Sequence, residues 1–255
     1  MNALLHGLDA LFTSSTAKTL AEAWRGMSNL ILPNPCVLCT WSDAVHHQLC
    51  LRCGALLKEQ HSQIIQAQDY ADGLPLDLVT GQALPVFASS LYTDQMAKVL
   101  LQFKDHQSIG VAGLWRPIMY RTLQYATEYL RQPYYRLMPI PASSSSMRKR
   151  GYNPVTVMLP KPLPATLIYD PKTLKIRWRM LHHASHRGTG SQTRRAASKG
   201  KFRLATHHQP PAEPVILVDD VLTTGATIAA AARTLQTAGF DVVAAVVISA
   251  VMPRS

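Results

Sequence analysis

The strongest hydrophobic pattern lies in the last forty or so residues, where apolar runs alternate with a helical segment. "VILVDD" at 215–220 and "DVVAAVVISAV" at 241–251 are aliphatic runs of the length of strands buried on both faces. Between them, "GATIAAAARTLQTAG" at 225–239 is rich in alanine and ends at a glycine, which is typical of a capped helix. This order favours an α/β domain with a mainly parallel sheet.

The same alternation extends upstream. "VFASSLY" at 86–92 and "LMPIP" at 137–141 are short apolar segments typical of strands. Apolar residues at helical spacing predict a helix over 93–103 and a second helix over 111–130, interrupted or restarted at Pro117.

The chain before this domain has a different composition. Its first twenty residues predict an amphipathic helix and not a secretory signal, because no basic segment precedes the apolar residues and Asp9 lies among them. No apolar run reaches the roughly 18 residues of a membrane-spanning helix, so we expect a cytoplasmic protein without a membrane span. The predicted organisation is an N-terminal helix (1–32), a four-cysteine module (33–60), a linker (61–85) and the α/β domain (86–255).

All the cysteines of the chain lie within the predicted module. They form two CxxC pairs, Cys36 with Cys39 and Cys50 with Cys53. Four thiolates at this spacing are typical of a tetrahedral Zn²⁺ site, and they leave no coordination position for water, so the zinc would be structural. Disulfide bonds are the alternative, although they suit oxidising compartments. We interpret His46 and His47, between the pairs, as solvated loop residues.

The paired acids Asp219 and Asp220 are the main candidate for chemistry. They follow a buried strand, and in open α/β sheets ligands bind at the carboxyl ends of the strands. The turn that follows leads into a helix whose first N–H groups suit a phosphate, and Gly225 allows close approach of the backbone. Adjacent carboxylates suit sugar hydroxyls or a nearby Mg²⁺, so the segment predicts a site for a sugar phosphate.

Other interpretations explain this segment less well. An ordinary strand, turn and capped helix would explain the threonines but not the paired acids. The chain has no GxxxxGK[ST] segment, which argues against a P-loop ATPase, and "DDVLT" lacks the spacing of a DxDxT phosphatase. A receiver domain would carry its acidic pair near its start.

The pattern of hydrophobics, two acids, two hydrophobics, two hydroxyl residues and Gly-Ala-Thr resembles the phosphoribosyl-pyrophosphate (PRPP) loop of type I phosphoribosyltransferases. The resemblance implies that Asp219 and Asp220 contact the ribose hydroxyls and that PRPP binds with Mg²⁺. It also implies a cradle for the 5′-phosphate made by Thr223, Thr224, Gly225, Ala226 and Thr227.

Cysteine pairs ahead of such a loop resemble the ComF family, which includes GntX-like proteins and is associated with uptake and use of external DNA. The resemblance spans most of the chain from Pro35 onward, and further segments carry it: "FK" at 103–104, "RGYN" at 150–153, and "GTGSQTRR" with Thr189 and Gln192. Pro154 stands where that family usually has glutamine, and the 192–202 stretch is shorter than the family's loop. The family also implies a DNA translocase or helicase as a partner.

The net charge of the chain favours a polyanionic partner. The chain has 26 lysines and arginines against 15 acids, a formal net charge of +11. Much of this excess lies between Ala142 and Arg203, where Asp170 is the only acid. The segments 143–151 and 186–201 are candidates for a pyrophosphate loop and a closing loop. The candidates to bind pyrophosphate or a DNA backbone are Lys104, Arg148, Arg150 and Arg194.

Three functions follow as hypotheses. The first is a ComF-like protein that acts in DNA uptake and binds PRPP or a related phosphate ligand. The second is an active PRPP-dependent transferase of nucleotide salvage. The third is a non-catalytic module that binds single-stranded DNA, with Tyr152 or Trp178 as a base-stacking surface.

Overall fold

The computed structural model describes residues 35–41, 47–77, 80–105, 109–177, 200–205 and 210–253. The chain divides into two compact units, Met1–Gly54 and Ala55–Ser255. The predicted N-terminal helix over 1–32 lies outside the described residues, as do His46, Trp178, Thr189, Gln192 and Arg194.

Helices and strands are interspersed along the described chain. The helices are α1 Leu51–Gln60, α2 Asp94–Asp105, α3 Ala112–Leu130, α4 Ser144–Arg150, α5 Pro154–Met158 and α6 Ala226–Gln236. The strands are β1 Ile65–Gln66, β2 Val86–Leu91, β3 Tyr135–Pro139, β4 Leu167–Tyr169, β5 Leu174–Ile176, β6 Phe202–Leu204, β7 Val215–Val218, β8 Val221–Leu222 and β9 Val242–Ala250. Short 3₁₀ turns lie at Gln68–Tyr70 and Ile109–Val111.

The main sheet of the second unit is mixed but mostly parallel. Its strand order is β1-β2-β9-β7-β3-β4, with β8 added beside β9. All described neighbours are parallel except β1 and β2. Strands β5 and β6 form a separate antiparallel pair. The predicted α/β class with a mainly parallel sheet is therefore confirmed, as are the strands predicted around 86–92, 137–141, 215–220 and 241–251.

Both faces of the central strands are buried, as their aliphatic runs predict. All of β7 is buried, and so is most of β9. On one side α3 buries Trp115, Met119 and Leu123. On the other side the alanines of α6 lie in the core cluster, where their small side chains allow close packing of helix on sheet.

Two details differ from the sequence-based picture. Helix α3 runs without interruption through Pro117, so the predicted break there is wrong. Proline removes only one helical hydrogen bond near the start of this helix, and burial of Trp115 before it and Met119 after it favours a continuous helix. In addition, the segment 61–85, predicted to be a linker, pairs with β2 through β1 and contributes Ala67, Ala71, Leu74 and Leu84 to the core.

Among the described residues, no helix has both the length and the apolar character that crossing a bilayer requires.

Candidate functional site

The strand order creates a crevice at the carboxyl ends of β3 and β7. These two strands are parallel neighbours. From β3 the chain goes on to β4 on one side of the pair, whereas from β7 it goes on to β9 on the other side. Such a reversal of strand order opens a cleft where open α/β sheets bind their ligands. A cleft of about 480 Å³ lies at this place. It is lined by Asp219, Asp220, Thr223 and Thr227 after β7, and by Ser143, Ser146, Arg150 and Asn153 after β3.

The acid pair is held by backbone contacts to β9. The Asp219 N–H donates to the Val246 carbonyl at 3.1 Å, and the Asp220 carbonyl accepts from the Ile248 N–H at 3.1 Å. The Asp219 carboxylate also accepts a 2.9 Å hydrogen bond from the Asp220 N–H. These contacts with β9 fix the backbone of the two acids at the carboxyl end of β7, beside the cleft.

Lys104 brings a positive charge to the acid pair. Its Nζ lies 2.6 Å from Oδ2 of Asp220, and the two side chains are only 23% and 18% exposed. Partial burial makes such an ion pair stronger than an exposed one, because water screens it less. The predicted phosphate-binding role of Lys104 therefore competes with an ion pair inside the cleft.

The "RGYN" segment ties the walls of the cleft together. The Tyr152 hydroxyl donates to the Phe103 carbonyl, next to Lys104, and the two aromatic rings are 5.7 Å apart. The Asn153 side-chain amide donates to the Ile140 carbonyl at 3.1 Å, which holds the loop after β3. In this structure Tyr152 and Asn153 position the cleft, and the Tyr152 hydroxyl binds protein backbone.

Asp219 holds its proton far above the usual range for an aspartate. Burial, together with the negative charge of Asp220, raises the pKa of Asp219 from 3.8 to about 7. Charge from Lys104 and Lys201 acts in the opposite direction. The acid pair is therefore a strong site for a cation or a hydrogen-bond donor, because either would offset the repulsion between the carboxylates.

The loop after the acids forms a compact turn into α6. Strand β8 pairs with β9 and carries the chain to Gly225, whose φ of +72° is in the left-handed region that favours glycine. Helix α6 starts at the next residue. Thr223 and Thr227 line the cleft, whereas Gly225 and Ala226 are buried behind it.

The segment 71–74 supports this turn from behind, which sequence reasoning missed. A Cβ at Gly73 would lie 2.3 Å from the Thr224 carbonyl oxygen, so only glycine fits there. A Cβ at Gly225 would meet Leu74 at 3.0 Å and Ala71 at 3.2 Å. The sequence marks Gly73 as a turn residue, but its contact lies about 150 residues away along the chain, beyond any local pattern.

The predicted cationic residues do not all reach the cleft. Lys104 and Arg150 line it. Lys201 joins them; the sequence placed it in the candidate closing loop 186–201, but not among the four named pyrophosphate candidates. Arg148 is exposed on α4 and is absent from the cleft lining among the described residues. Arg148 and Arg150 are two residues apart on the helix "SSSMRKR", so their side chains lie on different sides of it. Of the two, Arg150 lines the cleft.

The four cysteines form a second site, within the first unit. Their sulfur atoms all lie within 4.8 Å of one another, and none of them is in a disulfide. The Cys39 and Cys50 sulfurs are 3.8 Å apart, close to the spacing of about 3.8 Å that tetrahedral thiolates at ~2.3 Å from a metal would have. These residues therefore have the chemistry and the geometry of a metal-binding cluster.

Backbone hydrogen bonds lower the pKa of one cysteine of this cluster, Cys36. Burial raises the pKa of Cys36, but backbone hydrogen bonds from Cys39, Cys50 and Leu38 outweigh it and lower the pKa to about 6. The Thr40 N–H donates to the Cys36 carbonyl at 2.9 Å, which closes the first turn. Metals bind the thiolate form, so a Cys36 that ionises below neutral pH favours binding.

A search with models of known protein families finds no match in this chain, and a search of curated proteins finds no similar sequence. What the protein binds must therefore follow from the chemistry of its two sites. The cleft combines paired acids, hydroxyls, a glycine turn and three cations, which together suit a small ligand that carries both hydroxyls and phosphates.

We expect Gly73→Ala to distort the turn at Thr224 and to lower stability, because the added Cβ cannot avoid a backbone oxygen. Overpacking of this kind costs about 1–3 kcal/mol of unfolding free energy, measured by urea titration. Gly54→Ala is the matched control, since a Cβ there meets nothing within 4 Å. An equal effect of both substitutions would contradict the proposed contact.

The raised pKa of Asp219 predicts a pH-dependent stability. Between about pH 4 and pH 7 the folded protein holds a proton that the unfolded chain has released, so raising the pH through this range lowers stability. Asp219→Asn has no such proton and should lose less stability over the same range. The measurement is the unfolding free energy of both proteins across these pH values. Parallel curves would show that Asp219 titrates normally.

Proposed function

We propose that this protein binds PRPP, or a closely related phosphorylated sugar, in a domain of the type I phosphoribosyltransferase kind, and that it is a ComF-like protein. One observation carries the proposal: Asp219, Asp220, Thr223 and Thr227 line a single cleft at the point where the order of strands reverses. A capped helix alone would need the turn but would not need two carboxylates in the same cleft.

The ribose, the 5′-phosphate and the pyrophosphate of PRPP would each bind to different residues of the cleft. Asp219 and Asp220 would accept hydrogen bonds from the ribose hydroxyls. The turn at 223–227 would hold the 5′-phosphate through backbone N–H groups and the threonine hydroxyls. Arg150 and Lys201 would bind the pyrophosphate group, since both line the cleft.

Lys104 and Asp220 would exchange partners when this ligand binds. Its ammonium pairs with Asp220 in this structure, so it neutralises one carboxylate that the ribose would engage. A ligand that brings hydroxyl donors and phosphates offers new partners to both groups. Asp220 would turn to the hydroxyls, and Lys104 would turn to a phosphate oxygen, which matches the role predicted for it.

An active transferase would use the same contacts for chemistry. Loss of pyrophosphate leaves a ribosyl centre with positive character, and stabilising the departing charge is the main task of the site. Arg150, Lys201 and Lys104, which line the cleft, would do so. A Mg²⁺ bound with PRPP, held near the acid pair, would neutralise further negative charge. Such an enzyme would salvage a free base by joining it to the ribose of PRPP, which gives a nucleotide and releases pyrophosphate.

DNA uptake is the setting that the ComF-like features favour. A basic, nucleotide-handling protein of this kind would act beside a DNA translocase or helicase. A non-catalytic module for single-stranded DNA is the second candidate. It is favoured by the net charge of +11 and by the cations that line the cleft.

The cysteine cluster would hold a structural Zn²⁺. Four thiolates satisfy a tetrahedral ion completely, so the metal would have no position open for a substrate. Its contribution would be to the folding of the short segment around residues 36–53, whose described residues include few buried apolar side chains apart from Leu49 and the cysteines.

Calorimetry with PRPP and Mg²⁺ tests the ligand. We expect measurable binding by the wild-type protein and none by the double variant Asp219→Asn with Asp220→Asn, because the ribose contacts are lost. The control Glu59→Gln with Glu128→Gln removes two acids from exposed helical positions and should bind normally. Release of pyrophosphate with candidate bases would then separate a transferase from a binding protein. Unchanged affinity in the Asp219 and Asp220 double variant would overturn the proposal.

Metal analysis of the purified protein tests the second site. We expect one zinc per chain, and a strongly reduced content in Cys36→Ser, because a three-thiolate site binds zinc more weakly. The control Leu51→Ala changes an exposed side chain beside Cys50 and should keep its zinc. Zinc content that does not change in Cys36→Ser would exclude the four-thiolate site.

A further inference from the structure

His61 is a buried histidine to which the proposed function gives no role. It directly follows α1, and only 2% of it is exposed. Its ring packs edge-on against Trp115 of α3, with the ring centres 5.7 Å apart. Burial lowers the pKa of His61 to about 4, although the backbone of Ser89 opposes this effect, so the ring is neutral at neutral pH. A neutral imidazole has one N–H donor and one acceptor nitrogen.

The position of the ring proton follows from the contacts of Ser89 on β2. The His61 Nδ1 lies 3.0 Å from the Ser89 Oγ, and this hydroxyl donates its single proton to the Ile248 carbonyl at 2.5 Å. Ser89 can therefore only accept from the ring, which assigns the ring proton to Nδ1. The other ring nitrogen, Nε2, has no hydrogen-bond partner among the described residues.

One peptide group of β9 continues this chain to the acid pair. The Ile248 carbonyl and the Ser249 N–H belong to the same peptide group, and this N–H donates to the Asp220 carbonyl at 3.4 Å. The Ile248 N–H donates to the same carbonyl at 3.1 Å. Hydrogen bonds in series polarise one another, so each strengthens the next. An unbroken chain therefore runs from the His61 ring, through Ser89 and one peptide group, to the backbone of Asp220.

The end of α1 is also tied to the helix that carries the partner of Asp220. Gln60, the last residue of α1, accepts a hydrogen bond from the Thr93 hydroxyl at 3.3 Å. Thr93 also caps α2, because its hydroxyl accepts from a backbone N–H of the first turn at 3.2 Å. Lys104, which pairs with Asp220, lies in the last turn of the same helix. The end of α1 therefore contacts the elements behind both members of the ion pair.

Packing alone does not require a histidine at this place. A phenylalanine has a similar size and would fill the space beside Trp115 without leaving an unpaired ring nitrogen in the interior. What the histidine adds is the Nδ1–H donor, and this donor contacts Ser89. A serine hydroxyl can rotate about its C–O bond, so a donor on one side directs its proton to the acceptor on the other side.

We infer that His61 is a positioning residue for the acid pair. Its Nδ1–H directs the Ser89 hydroxyl onto β9, and the polarised peptide group of β9 fixes the backbone of Asp220 beside the cleft. The effect on a ligand rests on the proposed function, because it takes Asp220 to contact the ribose. The effect on the backbone of Asp220 does not depend on any ligand.

Hydrogen exchange of the β9 amides, followed by NMR, tests the chain. His61→Phe keeps an aromatic ring but loses the donor. We expect the Ile248 and Ser249 amides to exchange about tenfold faster relative to the Ala245 amide, which corresponds to one weakened hydrogen bond. The Ala245 N–H lies on the same strand and donates to the Pro85 carbonyl, outside the chain. A general loss of stability would speed the exchange of all three amides by the same factor.

Further variants separate a lost hydrogen bond from lost packing. His61→Asn places an amide N–H near the position of Nδ1, so it should restore the wild-type exchange ratio although its smaller side chain leaves a cavity. Ser89→Ala interrupts the chain at its next member and should raise the ratio as His61→Phe does. The matched control Thr122→Val removes another buried hydroxyl, which donates to the Ile118 carbonyl within α3, and should leave the ratio unchanged.

Calorimetry with PRPP and Mg²⁺ on the same variants tests the consequence for the cleft. We expect His61→Phe and Ser89→Ala to bind about fivefold more weakly, because the backbone of Asp220 is less well fixed. His61→Asn and Thr122→Val should bind like the wild type. Absence of PRPP binding by the wild type would refute the proposed function, and the exchange ratios, which need no ligand, would then decide on His61.

Three results would overturn the inference. The first is an unchanged exchange ratio in His61→Phe and Ser89→Ala. The second is an equal change in Thr122→Val, which would show a general effect of buried polar groups. The third is a raised ratio with unchanged PRPP affinity in a wild-type background that binds PRPP, since the chain would then have no influence on the ligand.

Discussion

Burial of β7 on both faces is the constraint on which the site depends. Its four aliphatic residues lie between β3 and β9 in the middle of the sheet, and each is fully buried. A shift of one residue along the strand would carry Asp219 into the apolar core, where an unpaired carboxylate costs several kcal/mol. The strand must therefore end where the acids begin. This places them at the sheet edge where the order of strands reverses.

The cleft depends equally on segments that are far apart in the chain. Gly73 backs the turn at Thr224, Lys104 pairs with Asp220, and Tyr152 holds the end of α2 next to that lysine. Each contact joins a loop or a helix end to the carboxyl edge of the sheet. The site is consequently assembled by packing of the whole second unit, and its electrostatic balance combines two acids with cations from separate elements.

Part of the positive charge of the protein lies on one face of the β5 and β6 pair. Apolar packing of Leu174 and Phe202 secures the β5 and β6 pair, so its other face can carry opposed cations that would weaken an isolated hairpin. Lys201, beside this pair, lines the acid-pair cleft together with Lys104 and Arg150. A net charge of +11 thus includes a localised, structured surface as well as solvated side chains.

Local patterns in the sequence determined the buried strands, the alanine-rich helix, the acid pair and the cysteine spacing, because burial and periodicity are written in neighbouring residues. They did not reveal that α3 continues through Pro117 or that part of 61–85 belongs to the core. They also did not separate Arg150, which lines the cleft, from the exposed Arg148, or show that Gly73 packs against the turn at Thr224 and that Lys201 lines the cleft. Those features were decided by the tertiary structure, since they depend on which distant segments packing brings within a few ångströms of each other.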